Sequence, residues 1–241
     1  MNKQSTISII VACYNEEKNI EETIKRINKT LPKAEILVID GGNDKTSEIA
    51  ASLNIPEVRV IRQEPNKGKG DATIIGINSA KGDIQAQIDA DCQFLPEELP
   101  KLLQPIIDDK ADITLASRFI KGSNVPKGTL TPIRRLANFV ISGYTSLLIG
   151  KRFTDIGAGF KGWKTDVIKD VNLRCLHYAY EAEIIVNGVA KGYRLVEVPV
   201  SYANRIYGVS NVNLWRDGIL MPWYLLRLRI SILKDKFFHS R

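Results

Sequence analysis

Two aspartates and a glutamine occupy alternate positions at the end of one predicted strand. The run 83–89 is rich in strand-forming residues, and Asp89, Asp91 and Gln93 come at its end. Because side chains two residues apart in extended chain point the same way, the two carboxylates can face one cavity. A hard divalent cation such as Mg²⁺ or Mn²⁺ takes oxygen ligands of this kind together with substrate phosphates. A solvated polar turn is the alternative interpretation.

Length and composition limit the class of protein. The chain has 241 residues, of which 44% are hydrophobic, enough for a sizeable core in one large domain or two smaller ones. Its net charge of +7 favours an anionic partner: a nucleotide, a phosphate, a nucleic acid or an acidic membrane. The cysteines at positions 13, 92 and 175 are few and far apart, which argues against a disulfide framework or a zinc site and for a reducing, intracellular compartment.

The hydrophobic residues are not arranged as a membrane span. No apolar run reaches the ~20 residues that cross a bilayer, and the N-terminal run is too short and too charged for a signal peptide. We therefore expect a soluble protein or one that binds a membrane surface.

Strand and helix patterns alternate through residues 1–120. Strands are predicted at 6–12, 34–40, 57–62, 83–89 and 112–117, and helices at 17–30, 44–54, 68–80 and 96–108. Such alternation predicts an α/β fold with a mostly parallel sheet and helices on both faces. Ligands of these sheets gather beyond the carboxyl ends of the strands. Those ends carry the polar residues Tyr14, Asn15, Glu16, Asp40, Asp89, Asp91, Gln93, Ser117 and Arg118.

The second half is less regular, and its tail is amphipathic. An apolar helix that opens on two arginines is predicted at 134–150, a helix with a glycine stop follows at "YEAEIIVNGVAKG", and "YRLVEVPVSY" is a strand. In the tail, 214–241, leucines and aromatic residues alternate with arginines and lysines, which predicts a helix lying in a membrane interface. Pro222 is expected to kink it or divide it in two. Docking of this helix on the protein's own core is the alternative.

Six motifs occur in the order found in family 2 glycosyltransferases of the GT-A fold. They are "IIVACYNEEKNI", "VIDGGNDKT", "NKGKGDA", "QIDADCQFLPEEL", "ASRFIKG" and "DIGAGFKGWK". The later "YEAEI" and "GYRLVEVPVSYANRIYGVSN" resemble the branch of dolichyl-phosphate and polyprenyl-phosphate mannose and glucose synthases. The resemblance covers residues 6 to 213, nearly the whole chain before the tail.

The resemblance implies a fold, a reaction and a location. The fold is a GT-A (Rossmann-like) sheet flanked by helices, with residues 1–213 as the catalytic domain, 1–120 as its nucleotide-sugar half, 121–213 as its acceptor half, and C-terminal amphipathic helices in 214–241. The reaction is transfer of a hexose, with inversion, from a nucleotide-diphosphate sugar of the GDP-mannose or UDP-glucose type to a polyprenyl or dolichyl phosphate. The cofactor is Mg²⁺ or Mn²⁺, and the location is the cytoplasmic face of a membrane, bound peripherally.

Family roles on the donor side transfer to particular residues. Asp91 is implied to be the main metal ligand, with Asp89 and Gln93 on the metal, the diphosphate or the sugar. Asp40 is implied to accept a hydrogen bond from a ring N–H of uracil or guanine. The remaining nucleotide-sugar contacts implied are Ala12, Tyr14, Glu16, Lys69 and Ala90. Two departures from the family pattern are Ala12 in place of a proline and Gly41 in place of a second aspartate.

The acceptor side is implied to bind phosphate. Its predicted ligands are Arg118, Arg134, Arg135 and Arg205, while Asn211 stands where the family has a lysine. Arg118 and Asp155 are also predicted to act in catalysis, together with Asp89 and Asp91. A lipid phosphate is already an oxyanion, so a general base is less necessary than for a sugar hydroxyl, and Asp155 and Glu181 are the candidate bases if one is used. Cys13 and Cys92 are interpreted as packing residues.

Three other functions remain open from the sequence. Transfer to a saccharide hydroxyl needs a carboxylate base, so it gives Asp155 or Glu181 a direct role. A non-catalytic nucleotide-sugar-binding protein is compatible with the altered "DGGNDKT" loop. Nucleic-acid binding is the least favoured, because the basic residues form no stripe interleaved with exposed aromatic ones.

Overall fold

The computed structural model describes residues 5–175, 177–208 and 214–239, the last with side chains from 220 to 234. Within that part of the chain the strands are β1 (Ile7–Cys13), β2 (Glu35–Asp40), β3 (Val58–Arg62), β4 (Ile84–Asp89), β5 (Ile113–Ser117), β6 (Lys161–Lys164) and β7 (Leu195–Pro199). The helices are α1 (Ile20–Thr30), α2 (Thr46–Ser52), α3 (Lys69–Ser79), α4 (Leu99–Ile107, after a 3₁₀ turn at Pro96–Glu98), α5 (Pro132–Ile149), α6 (Thr165–Val171), α7 (Tyr180–Ala190) and α8 (Leu214–His239).

The strands form one mixed sheet in the order β3-β2-β1-β4-β6-β5-β7. All neighbours are parallel except β6, which runs antiparallel to both β4 and β5. The predicted α/β class, with a mostly parallel sheet and helices on both faces, is confirmed. The five strands predicted in the first half all form, with ends within one residue of those expected from the hydrophobic runs.

Helices cover both faces of the sheet, so the inner strands are buried on both sides. On one face, the apolar sides of α1 and α4 pack against β1 and β4 through residues such as Ile24 and Leu102. On the other face, α3, α6 and α7 pack through residues such as Ile77, Ile168 and Ile184. This double burial explains why β2 reads as a nearly continuous apolar run in the sequence.

The tail helix α8 lies against the rest of the protein on one side only. It continues through Pro222 as a single helix, so the expected division into two helices does not occur. Leu225 is fully buried, and Met221, Tyr224 and Leu228 pack with it against the core, which explains how the helix persists past a proline. The opposite side exposes Leu220, Trp223, Ile230 and Leu233. No helix in the described ranges is long and apolar enough to cross a membrane.

Candidate active site

A cavity of ≈ 830 Å³ opens beyond the carboxyl ends of the strands. Residues that follow β1, β4 and β5 form its floor, and α5 and α8 form one wall. The side chains that the sequence analysis singled out and that line it are Ala12, Tyr14, Glu16, Lys69, Asp89, Ala90, Asp91, Gln93, Arg118, Arg134, Glu181 and Arg205. The sheet therefore brings together residues that lie up to 193 positions apart, from Ala12 to Arg205.

The turn after β4 points two polar side chains inward. Asp91 and Gln93 are each 5% exposed, whereas Asp89, the last residue of β4, has a side chain that is 28% exposed. Cys92 adopts a left-handed conformation with φ of 54°. This bend lets the backbone N–H of Gln93 donate to Asp91 Oδ1 at 3.1 Å. Left-handed non-glycine residues are uncommon and concentrate at functional turns.

Cys92 and Cys13 are both buried, in agreement with their interpretation as packing residues. Cys92 Sγ lies 3.0 Å from Thr23 Oγ1 on α1. Burial raises the pKa of both thiols, which keeps them protonated and unreactive. Neither thiol is arranged as a nucleophile.

Asp89 lies directly against the backbone of Gly159. A Cβ atom at Gly159 would come within 2.4 Å of Asp89 Oδ2, so any larger residue would displace the carboxylate. On its other side, Asp89 Oδ1 accepts a salt bridge of 2.7 Å from Lys69 Nζ at the start of α3. The "GAGF" glycine and the "NKGKGDA" lysine therefore both fix the position of Asp89.

Arg205, predicted as a ligand of the acceptor phosphate, contacts two of the predicted metal ligands. Its guanidinium pairs with Asp91 Oδ2, and its Nε donates to Gln93 Oε1 at 3.2 Å. Burial and then the nearby charge of Asp89 raise the pKa of Asp91, and the charge of Arg205 opposes them. Asn211, the expected phosphate-site departure, lies outside the described residues.

The oxygen atoms of Asp89, Asp91 and Gln93 fit a hard divalent cation. Two carboxylates and an amide carbonyl are the donor types that Mg²⁺ and Mn²⁺ prefer. No group of three or more His, Cys, Asp or Glu side chains in the described ranges could hold a metal by itself. The donor set thus suits an ion that takes its remaining ligands from substrate phosphates and water, which is how Mg²⁺ is usually bound.

Arg118, which follows β5, is fixed by a bidentate salt bridge. Its Nε and Nη2 atoms each donate to Asp155 at 2.7 Å, and its backbone N–H donates to the same carboxylate at 3.0 Å. The guanidinium carbon lies 4.8 Å from the ring centre of Tyr202 and 5.5 Å from that of Phe94. Although burial alone would lower it, the pKa of Arg118 is raised by Asp155. Both oxygens of Asp155 therefore hold this arginine, and its predicted part in catalysis stays a prediction.

Glu181 lies at the centre of a buried network that the sequence analysis did not anticipate. Its Oε2 pairs with the fully buried Lys161 of β6. Its Oε1 accepts from Gln87 Nε2 at 3.0 Å, from Tyr180 Oη at 2.7 Å and from Lys69 Nζ at 3.3 Å. The only sequence signal was a lone lysine in the otherwise apolar and glycine-rich "GAGFKGW".

Asp40 does not line the cavity. It is fully buried, with Oδ1 accepting from the Gly42 amide at 2.8 Å and Oδ2 accepting from Ser47 at 2.6 Å and from Arg62 at 2.6 Å. Arg62 is also its register partner across β2 and β3. The predicted contact with a nucleotide base stays a prediction.

The two arginines that open α5 have different environments. Arg134 is half-buried and lines the cavity, whereas Arg135 is exposed and lies outside it. Thr131 caps the helix by accepting from the Arg134 amide at 3.4 Å. Of the two predicted phosphate ligands on this helix, only Arg134 faces the other site residues.

The sequence and the fold are similar to those of known proteins. The sequence model of the glycosyl transferase family 2 matches residues 8–171. The chain is 27% identical over 242 residues to an undecaprenyl-phosphate mannosyltransferase of Micrococcus luteus, covering 92% of this chain and 98% of that protein. It is 32% identical over 210 residues to a dolichol-phosphate mannosyltransferase of Pyrococcus furiosus, covering 86% of this chain and 59% of that protein.

A solved structure has the same fold. Glucosyl-3-phosphoglycerate synthase from Mycobacterium tuberculosis, crystallised with Mn²⁺, uridine diphosphate and phosphoglyceric acid, superposes with a TM-score of 0.72 at 19% identity. The superposition covers 95% of this chain and 78% of the synthase. The family match over most of the chain and the cavity at the strand ends lead to one conclusion: the chain belongs to glycosyl transferase family 2 and is a glycosyltransferase with the GT-A fold.

Proposed function

We propose that this glycosyltransferase moves a hexose from a nucleotide-diphosphate sugar, of the GDP-mannose or UDP-glucose type, to a polyprenyl or dolichyl phosphate, with inversion at the anomeric carbon. The observation that carries the proposal is one cavity with two kinds of wall. Carboxylates and arginines line the strand ends, while apolar side chains of α5 and α8, among them Leu136, Val140 and Met221, line the opposite side. The printed names of the two mannosyltransferase relatives support a lipid phosphate as acceptor.

On the donor side, Asp89, Asp91 and Gln93 would hold Mg²⁺ or Mn²⁺, which when bound neutralises charge on the departing diphosphate. Tyr14 and Glu16 after β1 border the same side of the cavity, where a nucleoside would lie. Glu16 is half-buried, and this burial raises its pKa. A ribose hydroxyl at this position would meet a carboxyl group that is partly shielded from water.

On the acceptor side, Arg118 and Arg134 supply positive charge for a phosphate monoester. Arg118 is held rigid by Asp155, and a rigid guanidinium binds phosphate oxygens with little loss of conformational freedom. Arg134 lies in the first turn of α5, where the helix dipole also favours an anion. The acceptor oxygen is then placed and its charge balanced by side chains that do not move far.

The contacts of the two candidate bases favour a phosphate acceptor over a sugar hydroxyl. Both oxygens of Asp155 accept from Arg118, and both oxygens of Glu181 accept from lysines. A general base must reach the proton it removes, and Asp155 does not line the cavity. Burial would raise the pKa of Glu181, but Lys161 and Lys69 lower it, which makes this carboxylate a weaker base. A phosphate monoester needs no such base, because its second pKa is about 6 and it is an oxyanion at neutral pH.

The exposed surface of α5 and α8 suits a membrane. Phe139 and Leu147 on α5 are 75% and 82% exposed, and Trp223 on α8 is 61% exposed. Exposed apolar residues that share one surface with arginines and lysines are typical of proteins that lie in the bilayer interface. We name this surface, formed by the exposed apolar residues of α5 and α8, the apolar face. Binding at the cytoplasmic side of a membrane is part of the proposal.

The proposal is tested by measuring the transfer of labelled sugar to a polyprenyl phosphate. Purified protein is incubated with undecaprenyl phosphate, MnCl₂ and radiolabelled GDP-mannose or UDP-glucose, and the lipid phase is counted and analysed for anomeric configuration. We expect label in the lipid phase as a β-linked sugar phosphate, dependent on the divalent cation. Transfer only to a saccharide acceptor, or no release of nucleotide with any donor, would contradict the proposal.

A further inference from the structure

The network around Glu181 alternates in charge from the core to the cavity. Lys161 is fully buried and pairs with Glu181 Oε2, Glu181 Oε1 contacts Lys69 at 3.3 Å, and Lys69 pairs with Asp89 at 2.7 Å. Gln87 and Tyr180 supply two further hydrogen bonds to Glu181 Oε1. The four charged groups sum to zero, and only the last three line the cavity.

Stability alone does not explain the buried pair at the inner end. Taking a lysine and a glutamate out of water costs several kcal/mol for each ion, and apolar residues of the same volume usually serve the fold as well or better. Beside its hydrogen bonds with Gln87, Tyr180 and the Ala158 carbonyl, the pair provides what an apolar filling cannot, a charged oxygen of Glu181 that faces Lys69. The function of the pair therefore lies at its outer end.

We infer that Glu181 is a positioning residue that holds the ammonium of Lys69 beside Asp89 on the cavity floor, with Lys161 as its counter-charge. The ammonium of Lys69 lies 2.7 Å from Asp89 Oδ1 and 3.3 Å from Glu181 Oε1, so two carboxylates hold it. Although burial alone would raise it, the pKa of Glu181 is lowered by Lys161 and Lys69, so the carboxylate stays charged at neutral pH. Without Glu181, the buried Lys161 would lose its carboxylate partner and Lys69 would be left with Asp89.

The role of the fixed ammonium rests on the proposed function. Lys69 borders the cavity next to the carboxylates that would hold the metal, where the donor diphosphate would lie. A cation fixed in place binds phosphate better than one that must first be ordered. Glu181 then acts on donor affinity through Lys69 without touching the donor.

The placement of Lys69 is tested directly by chemical labelling of the ligand-free full chain. Amines are acetylated with an N-hydroxysuccinimide ester, and the rate at each lysine is measured by mass spectrometry, with the exposed Lys33 as internal standard. We expect slow labelling of Lys69 in the wild type and labelling several-fold faster in Glu181→Gln. The double variant Lys161→Met/Glu181→Gln leaves no buried charge unpaired, and it should show the same increase even if the single variant folds poorly.

The matched control is Glu35→Gln, which removes a carboxylate that is paired with Arg59 at the far end of the sheet from the cavity. Lys69 should label at the wild-type rate in this variant. Equal Lys69 labelling in wild type and in both Glu181 variants, or an equal rise in Glu35→Gln, would overturn the inference.

Donor affinity provides the second measurement. Calorimetry with GDP and UDP in the presence of Mn²⁺ should show binding weakened by about tenfold, or ~1.4 kcal/mol, in Lys69→Met and in Glu181→Gln. In the double variant Lys69→Met/Glu181→Gln the loss should be no greater than in Lys69→Met, because Glu181 acts through Lys69. Additive losses would overturn the inference. Failure of the proposed function would appear separately, as absence of lipid product with the wild type, and would leave the labelling result unaffected.

Discussion

At the scale of single residues, the charges of the cavity are held in pairs. Asp155 holds Arg118, Glu181 holds Lys69, and Arg205 contacts Asp91. A paired side chain has a defined position before any substrate arrives, and positioning of this kind lowers the entropy lost on binding. Single substitutions should therefore affect the partner of the residue that is changed as well as the residue itself.

Asp91→Asn tests the predicted metal ligand. The substitution keeps the shape of the side chain and removes the charge that a divalent cation would meet, so we expect Mn²⁺ binding to weaken and sugar transfer to fall by about 100-fold or more, or ~2.7 kcal/mol. Calorimetric titration with Mn²⁺ and the lipid transfer assay measure the two effects. Asp170→Asn, at a surface pair with Lys191, is the control and should behave as wild type. Unchanged Mn²⁺ affinity in Asp91→Asn would contradict the assignment.

Asp155→Asn separates a positioning role from a basic one. The amide cannot reproduce the bidentate pair with Arg118, so the arginine loses its fixed orientation. We expect the KM for the lipid phosphate to rise by about tenfold to 100-fold, with kcat at saturating acceptor largely retained. Steady-state kinetics at fixed donor concentration decide between the roles. A collapse of kcat with unchanged KM would show instead that Asp155 is the base.

Part of the cavity could be predicted from residue types alone, and part could not. Asp89, Asp91 and Arg118 stand at strand ends, and any parallel sheet brings strand ends together. Lys161 could not be found in this way, because a lysine in a strand is ordinarily exposed and its burial depends on a partner on another element, Glu181. Arg62 was missed for a similar reason: its pairing with Asp40 follows from strand register, which the sequence does not contain.

At the scale of secondary structure, α5 presents two adjacent arginines to different surroundings. Arg134→Ala should raise the KM for the lipid phosphate by about tenfold, because it removes a charge from the cavity wall, whereas Arg135→Ala should leave it near the wild-type value. The pair is well matched, since both residues lie in the same helical turn and carry the same charge. Transfer kinetics with varied lipid phosphate provide the measurement. Equal effects of the two variants would mean that the charge acts at long range and not by contact.

Helices and strands with strong periodicity were the most predictable part of the fold. The tail was not, because interfacial binding and docking on the core place the same apolar residues on a helix. The structure shows that one side of α8 docks on the core, where Leu225 is buried, and that Trp223 on the other side is exposed. Binding of the exposed side to a membrane stays a prediction. Pro222 did not end the helix, since its neighbours are held by packing, and tertiary contacts can compensate for the hydrogen bond that a proline removes.

At the scale of the whole molecule, the net charge and the apolar face should act together on a membrane. We expect the wild type to sediment with vesicles that contain anionic lipids, and less so at high salt, because the attraction of the +7 chain is screened. Phe139→Glu and Trp223→Glu should each weaken sedimentation at all salt concentrations. Ile107→Glu, an equally drastic change at an exposed residue outside α5 and α8, is the control. Sedimentation unaffected by the first two variants would show that another surface binds the membrane.

The position of β6 has a consequence for how the protein is made. This strand lies between β4 and β5 although both leave the ribosome before it, so a nascent chain that ends at residue 120 has no strand to join them. We expect β3, β2, β1 and β4 to assemble first and β5 to join the sheet only after β6 has been synthesised.

Strand β6 also acts as a spacer between β4 and β5. It separates the ends of β4 and β5, which precede Asp91 and Arg118, by two interstrand distances, about 10 Å. In the proposed reaction this spacing would accommodate a sugar ring between the donor and the acceptor phosphates.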